Sequence, residues 1–320
     1  MTSAYQWMAV DFGGSEALRL VGVDVPAPGE AQVMIEVRAC GMNPADAKHI
    51  APAQDRSLLP LTVGYEVSGI VSAVGADVSG LAAGNEIVAP AVGGYTTALT
   101  LPAEEVYAKP STLTFAEAAN LLLVGTTAAD MLYASRAAEG ETVLLHGGAG
   151  AVGVSALQQA RVLGVRVIAT ASKANFGFVE RFGGVPVEYG PGLLDRVRAA
   201  APQGVAAALD TAGSQEAGDV STALVKDRSR VVTIVDAPRA RAEGYVFVGA
   251  SNPASGRYRA SVRPRILELA ASGSLVVPIA ATFGFDEAPA AFVMLTSPHP
   301  PGKIALVILW LTTASRRLSS

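Results

Sequence analysis

His146-Gly-Gly-Ala-Gly-Ala-Val-Gly153 is the stretch on which the reading of this sequence turns. It contains Gly148-x-Gly150-x-x-Gly153. Before it lies an apolar run with strand character, Thr142-Val-Leu-Leu-His146; after it residues 151–163 have helical character and stop at Gly164. Strand, glycines and helix in that order suit a dinucleotide pyrophosphate. The first glycine permits a sharp turn, the second lets phosphate approach the main chain, and the third lets helix and strand pack closely. The main-chain amides of Ala149, Ala151 and Val152, with the positive end of the helix dipole, attract phosphate. The same glycines could serve packing alone; the surrounding rhythm favours binding.

That rhythm is an alternation of strands and helices. Residues 165–170 form the next strand, 176–182 a helix closed by Gly183, a later strand ends at Leu209, and 230–235 form another. Such alternation implies an α/β domain, a doubly wound parallel (Rossmann) sheet covered by helices on both faces. The chain before it is different. Residues 33–39 and 67–74 are strand-like runs between glycine and proline punctuation, the mark of a smaller, irregular β-rich domain. Residues 115–123 have helical composition, with Thr114 and Glu117 offering a capping box. The division expected is 1–119 with 263–320 for the β-rich part and 120–262 for the doubly wound part.

Bulk properties narrow the partners. Of 320 residues, 50% are hydrophobic and 16% charged, which suits a large buried core and not disorder. The net charge of −4 has no basic run, so nucleic acid is not expected. Cys40 stands alone, which rules out an intramolecular disulfide and a zinc cluster of several thiolates. Mean hydropathy is +0.37, yet the longest apolar run, 304–311, is far short of the ~20 residues of a spanning helix, so no membrane association is expected. Residues 1–6 lack the basic and apolar parts of a signal peptide, and a cytoplasmic location is expected. Small molecules or a second copy of the chain are the expected partners.

The end of the second strand bears on which dinucleotide binds. An NAD site carries an acid about 20 residues beyond the loop, which holds the ribose 2′-hydroxyl. Here Ala169-Thr-Ala-Ser-Lys-Ala-Asn175 has none, and Glu180 lies on the following helix. Ser172 and Lys173 would instead donate a hydrogen bond and a positive charge to a 2′-phosphate, favouring NADPH. The plainer alternative makes Lys173 an exposed cap residue.

Several further motifs accompany the loop: Ala39-Cys-Gly-Met-Asn-Pro-Ala-Asp46, Gly64-Tyr-Glu-Val-Ser-Gly-Ile-Val71, Gly93-Gly-Tyr95, Gly125-Thr-Thr-Ala128, Asp210-Thr211 and Pro301-Gly-Lys-Ile-Ala-Leu306. Together they make residues 8–307 resemble a medium-chain dehydrogenase/reductase of the zinc-free quinone oxidoreductase (zeta-crystallin-like) branch. The resemblance implies that the β-rich part is a GroES-like domain and that the chain is a homodimer. It implies that Asn43 lies beside the nicotinamide, that Thr127 contacts the cofactor, and that Ser172, Lys173 and Tyr189 surround the 2′-phosphate. Phe247 and Val248 match positions that line the nicotinamide end and pair sheet edges between subunits. Zinc-dependent relatives carry Cys and His where Asn43 and Tyr65 stand, and a four-Cys lobe that is missing here, so no metal is expected. Residues 84–86, 237–244 and 309–320 depart from the family pattern.

Alcohol oxidation draws on a metal to stabilise an alkoxide. A quinone or α,β-unsaturated carbonyl instead accepts hydride directly and leaves an oxyanion that needs only a hydrogen-bond donor. Asn43 and Tyr65 are the donors expected, against the alternatives that Asn43 shapes a turn and Tyr65 fills the core. Asp46 is expected to be structural, Tyr95 to pack at a turn, and Cys40 to be a small buried group. His49, His146 and His299 lack ligand spacing. Residues 50–61 are expected to border the substrate pocket. A biosynthetic enoyl or polyketide-tailoring reductase shares the mechanism, and a non-redox ligand-binding protein or cyclase could keep the same fold.

Overall fold

The computed structural model describes residues 1–51, 55–249 and 252–309. Two compact units emerge, Met1–Leu123 with the chain from Val277 onward, and Val124–Val276. The second boundary thus lies beyond the expected 262/263. Helix Pro253–Ala271 runs unbroken through Arg263, its first turn capped by the Asn252 side chain. The segment after it is then held to the same unit by Gln158, whose side chain donates to the Val276 carbonyl at 3.0 Å and accepts from the Val276 amide at 2.9 Å.

The 124–276 unit is built on a six-stranded parallel sheet. Its spatial order is Gly184–Glu188, Arg166–Ala171, Thr142–His146, Ala207–Asp210, Val231–Thr233 and Val246–Phe247. Numbered along the chain, that is 3-2-1-4-5-6, the doubly wound order that reverses direction beside the first strand. The apolar strands explain the burial. Successive residues Leu144 and Leu145 point to opposite faces, and each is buried in a separate core cluster. A strand covered on both faces has no reason to alternate polar residues. The strand expected at 230–235 is confined to Val231–Thr233. Beyond it the Thr233 hydroxyl accepts the amides of Val235 and Asp236, each at 3.2 Å, and Asp236 caps helix Ala237–Glu243.

The other unit has a three-stranded sheet, Leu18–Val25, Thr2–Ala9 and Leu61–Thr62, and a larger mixed sheet around Gln32–Met42. Lys303–Val307 pairs antiparallel with that long strand, Ile304 opposite Met42, which delivers Lys303 to the strand's end at Asn43. The helix expected over 115–123 is interrupted. Phe115–Ala118 carries the Thr114/Glu117 capping box, and a new helix runs Leu122–Ala134. The intervening backbone lies against Gly41, where a Cβ would stand 2.0 Å from the Ala119 carbonyl oxygen. Gly41→Ala should therefore cost about 1–3 kcal/mol through overpacking. A urea midpoint equal to the wild type's would show that the backbone gives way freely.

Candidate functional site

The glycine loop divides its tasks differently from the sequence expectation. The left-handed residue is Gly147, at φ +85°, and not Gly148. Gly148 is required by packing, since its Cβ would lie 2.6 Å from that of Ala169. A Cβ on Gly153 would meet the Gly147 carbonyl oxygen at 2.2 Å. Gly150 is the exception: its nearest neighbour would be that same oxygen at 3.3 Å. It is the N-cap of helix Ala151–Val162 and supplies no side-chain cap. The first amides of that helix, Ala151 and Val152, have no carbonyl one turn earlier to bond. The loop is fixed from its far side. Gly148 donates to the Thr170 carbonyl at 2.9 Å, and Thr211 donates through its hydroxyl to the His146 carbonyl at 2.7 Å.

Beside the loop opens a cavity of about 410 Å³, walled by Ala149, Gly150, Thr170, Ser172, Asn175 and Tyr189 among others. Ser172 precedes the short helical turn Lys173–Asn175 without using its hydroxyl to cap it, and Tyr189 is 57% exposed. Lys173 is not a lone cation. Its ammonium lies 3.3 Å from the Glu188 carboxylate, so an acid does stand near this cavity. It escaped the sequence reading because it ends the third strand, not the second; the parallel register that pairs Ala171 with Glu188 brings it alongside. Both partners are well exposed, which makes the pair weak. Thr127 is buried in helix Leu122–Ala134. Phe247 lies in the edge strand of the sheet. Val248, just beyond that strand, is 3% exposed and packs in its own unit's core, while Val246 and Phe247 in the strand are partly exposed.

In the β-rich unit, five buried polar side chains form one network. Asn43 caps helix Pro44–His49, and Asp46 closes the capping box by accepting the Asn43 amide at 2.7 Å. The Asn43 side chain donates to Glu66 at 3.0 Å and accepts from Lys303, whose ammonium also donates to the Met42 carbonyl at 2.7 Å. At 1% exposure and with both ends engaged, the Asn43 carboxamide bridges a buried charge pair; it is not the free donor the sequence suggested. Tyr95 donates to Asp46 at 2.7 Å, so its hydroxyl does more than pack a turn. Burial raises Glu66 and lowers Lys303 from their ordinary values. Lys303 was not singled out from the sequence, though a lysine opening the strand Lys-Ile-Ala-Leu-Val is a signal of a buried partner.

Tyr65 is half-buried, and its hydroxyl lies 2.5 Å from His49 Nδ1. Burial raises its pKa, with a smaller push from the Asp46 charge. Sequence reasoning weighed His49 only as a metal ligand and so missed this pairing. Cys40 is fully buried, and burial pushes its thiol up to about 12. His146, also buried, is pushed down to about 4 and shares a hydrogen bond of 3.1 Å with Ser221, which leaves it neutral. Residues 52–54, within the stretch expected to border a substrate pocket, lie outside the described residues. Among the described residues no group of three or more His, Cys, Asp or Glu is placed to hold a metal ion.

Asp46 sets a pH dependence. Burial raises its pKa from 3.8 to about 7. Between those values the folded chain keeps a proton that the unfolded chain gives up, so stability falls as pH rises through this window. Asp46→Asn can keep the bonds from Tyr95 and Asn43 and removes the titration. The wild type should lose stability against this variant between about pH 4 and pH 7, by at most about 4 kcal/mol, and change little above that. Parallel stability curves for the two proteins across that range would contradict it.

Comparison with known proteins adds kinship to this geometry. Residues 29–114 match the alcohol dehydrogenase GroES-like domain family, and residues 187–306 match the zinc-binding dehydrogenase family. The chain is 39% identical over 166 residues to the quinone oxidoreductase of Mus musculus, an alignment that covers 50% of this chain and 50% of that protein. It thus spans about half the length of these curated relatives. The quinone oxidoreductase structure from Coxiella burnetii superposes with a TM-score of 0.79 at 25% identity, covering 96% of this chain and 100% of that one. A mycobacterial protein solved with NADPH superposes with a TM-score of 0.81 at 27% identity, covering 95% of this chain and 99% of its own. Two domain families in the expected order, on a sheet wound 3-2-1-4-5-6 beside a glycine cradle, define the lineage: the chain belongs to the medium-chain dehydrogenase/reductase superfamily, in its quinone oxidoreductase branch.

Proposed function

We propose that this protein binds NADPH and reduces a quinone or α,β-unsaturated carbonyl by direct hydride transfer without a metal. The observation that carries the reading is the cradle at Gly150, open where its neighbouring glycines are closed, beside a cavity of about 410 Å³. The amides of Ala149, Ala151 and Val152 suit a pyrophosphate. Ser172, Lys173 and Tyr189 suit a 2′-phosphate on the ribose. The mycobacterial neighbour that carries NADPH, and the relatives named for quinone reduction, support the same reading.

Bound NADPH would supply the hydride. The chain's own part is to orient the acceptor and to stabilise the oxygen that becomes negative. Of the two donors expected from sequence, Tyr65 suits the task better, because the residue is only half-buried and its hydroxyl is linked to His49. With its pKa raised, the phenol stays protonated at neutral pH, and His49 can return a proton after transfer. An amide at Asn43 and a phenol at Tyr65 are poor zinc ligands, which suits chemistry on an already electrophilic carbonyl. A cytoplasmic homodimer, joined at the edge strand Val246–Phe247, fits this assignment.

Three measurements test it. The purified chain should consume NADPH in the presence of a simple quinone or enone, and a chelator should leave that rate unchanged; chelator inactivation would overturn the metal-free route. Gly150→Val should weaken NADPH binding well beyond tenfold (about 1.4 kcal/mol) while sparing the fold, because its side chain occupies the space meant for phosphate. Tyr65→Phe should lower turnover of an enone by about 10²-fold with NADPH affinity unchanged. Equal turnover in the two proteins would remove Tyr65 from the mechanism.

A further inference from the structure

Glu188 is the residue before Tyr189, which lines the cavity. The parallel pair Arg166–Ala171 and Gly184–Glu188 sets Ala171 opposite Glu188. The residues that follow each, Ser172 and Tyr189, line the cavity. Lys173 and Glu188, each next in the chain to a lining residue, lie 3.3 Å apart beside the cavity, with their side chains 76% and 39% exposed. So solvated a pair opens at little cost.

Two other charged groups, Arg196 and the cavity-lining Glu216, already bond the main chain. Arg196 spends its guanidinium on the carbonyls of Glu188, Pro191 and Gly190, at 2.8, 2.8 and 2.7 Å. Glu216 accepts the Gly190 amide at 2.8 Å. The pair beside the cavity thus offers an incoming ribose one mobile cation and one mobile carboxylate.

Two ribose substituents respond to that pair in opposite ways. A 2′-phosphate, carrying about two negative charges, gains Lys173 but must first displace Glu188 and then bear its repulsion. A 2′-hydroxyl can donate to a carboxylate, the role an acid after the second strand plays in NAD sites. Here the carboxylate arrives from the third strand and lies beside the same cavity. We propose that Glu188 is a specificity-determining residue, which admits NADH to this cavity and attenuates the preference for NADPH that Ser172 and Lys173 create. The proposal rests on the dinucleotide reading above and goes beyond it, because it makes the choice between the two cofactors a contest between two named side chains.

The test is an equilibrium fluorescence titration of the full chain with NADPH, NADH, 2′,5′-ADP and 5′-AMP. Glu188→Gln should tighten NADPH and 2′,5′-ADP by about tenfold, and loosen NADH and 5′-AMP by a few-fold. Glu188→Ala, which removes the carboxylate without adding an amide, should move the NADPH:NADH ratio in the same direction and guards against a folding fault peculiar to one variant. A ratio that moves by less than about twofold in both variants, or in opposite directions, overturns the proposal and leaves the dinucleotide reading standing. A wild-type chain that binds none of the four ligands overturns both.

Discussion

The doubly wound unit depends on a main chain brought closer to itself than any side chain allows. At Gly153 the first turn of a helix comes so near the Gly147 carbonyl that a single added carbon would lie 2.2 Å from it, and at Gly148 the loop presses on Ala169. These two contacts seat the helix against the sheet and fix where its amino end points. The open flank at Gly150 exists because its neighbours are closed. A phosphate cradle of backbone amides has no flexible part to order on binding, so little entropy is lost in using it.

The β-rich unit meets the opposite problem. It buries two carboxylates, a lysine, an amide and a phenol in one network, and most of what burial costs such groups is offset by hydrogen bonds among them. The compensation is incomplete. One oxygen of Asp46 has no partner, and the same side chain carries the pKa raised to about 7. Burial and imperfect pairing at one carboxyl have a common origin: the helix start at Asn43 needs an acceptor at Asp46, and the packing that supplies it buries the whole side chain.

Local features of this fold were legible in the sequence wherever a residue's neighbours along the chain determine its fate. The glycine spacing, the Thr114 capping box and the apolar strands on both sides of the loop are of this kind. What could not be read was contact across sequence distance. Glu188 meets Lys173 through a strand register, His49 meets Tyr65 through the end of a helix, and Lys303 reaches Asn43 across a sequence separation of 260. The misplaced second boundary has the same cause, since only the folded chain reveals that Gln158 holds Val276. Asn43 shows the remaining difficulty. A motif marks a position without stating whether its side chain is free, and here the carboxamide is already spent.

Cys40 is the sole sulfhydryl in the chain, and it is sealed within the core with a pKa near 12. Thiolate is the form that attacks electrophiles, and almost none of it exists at such a site. The native fold is consequently blind to maleimides and other alkylating reagents. A cysteine introduced anywhere on the surface can be labelled alone, in an otherwise unaltered background, which makes this chain a ready scaffold for site-directed spectroscopic probes.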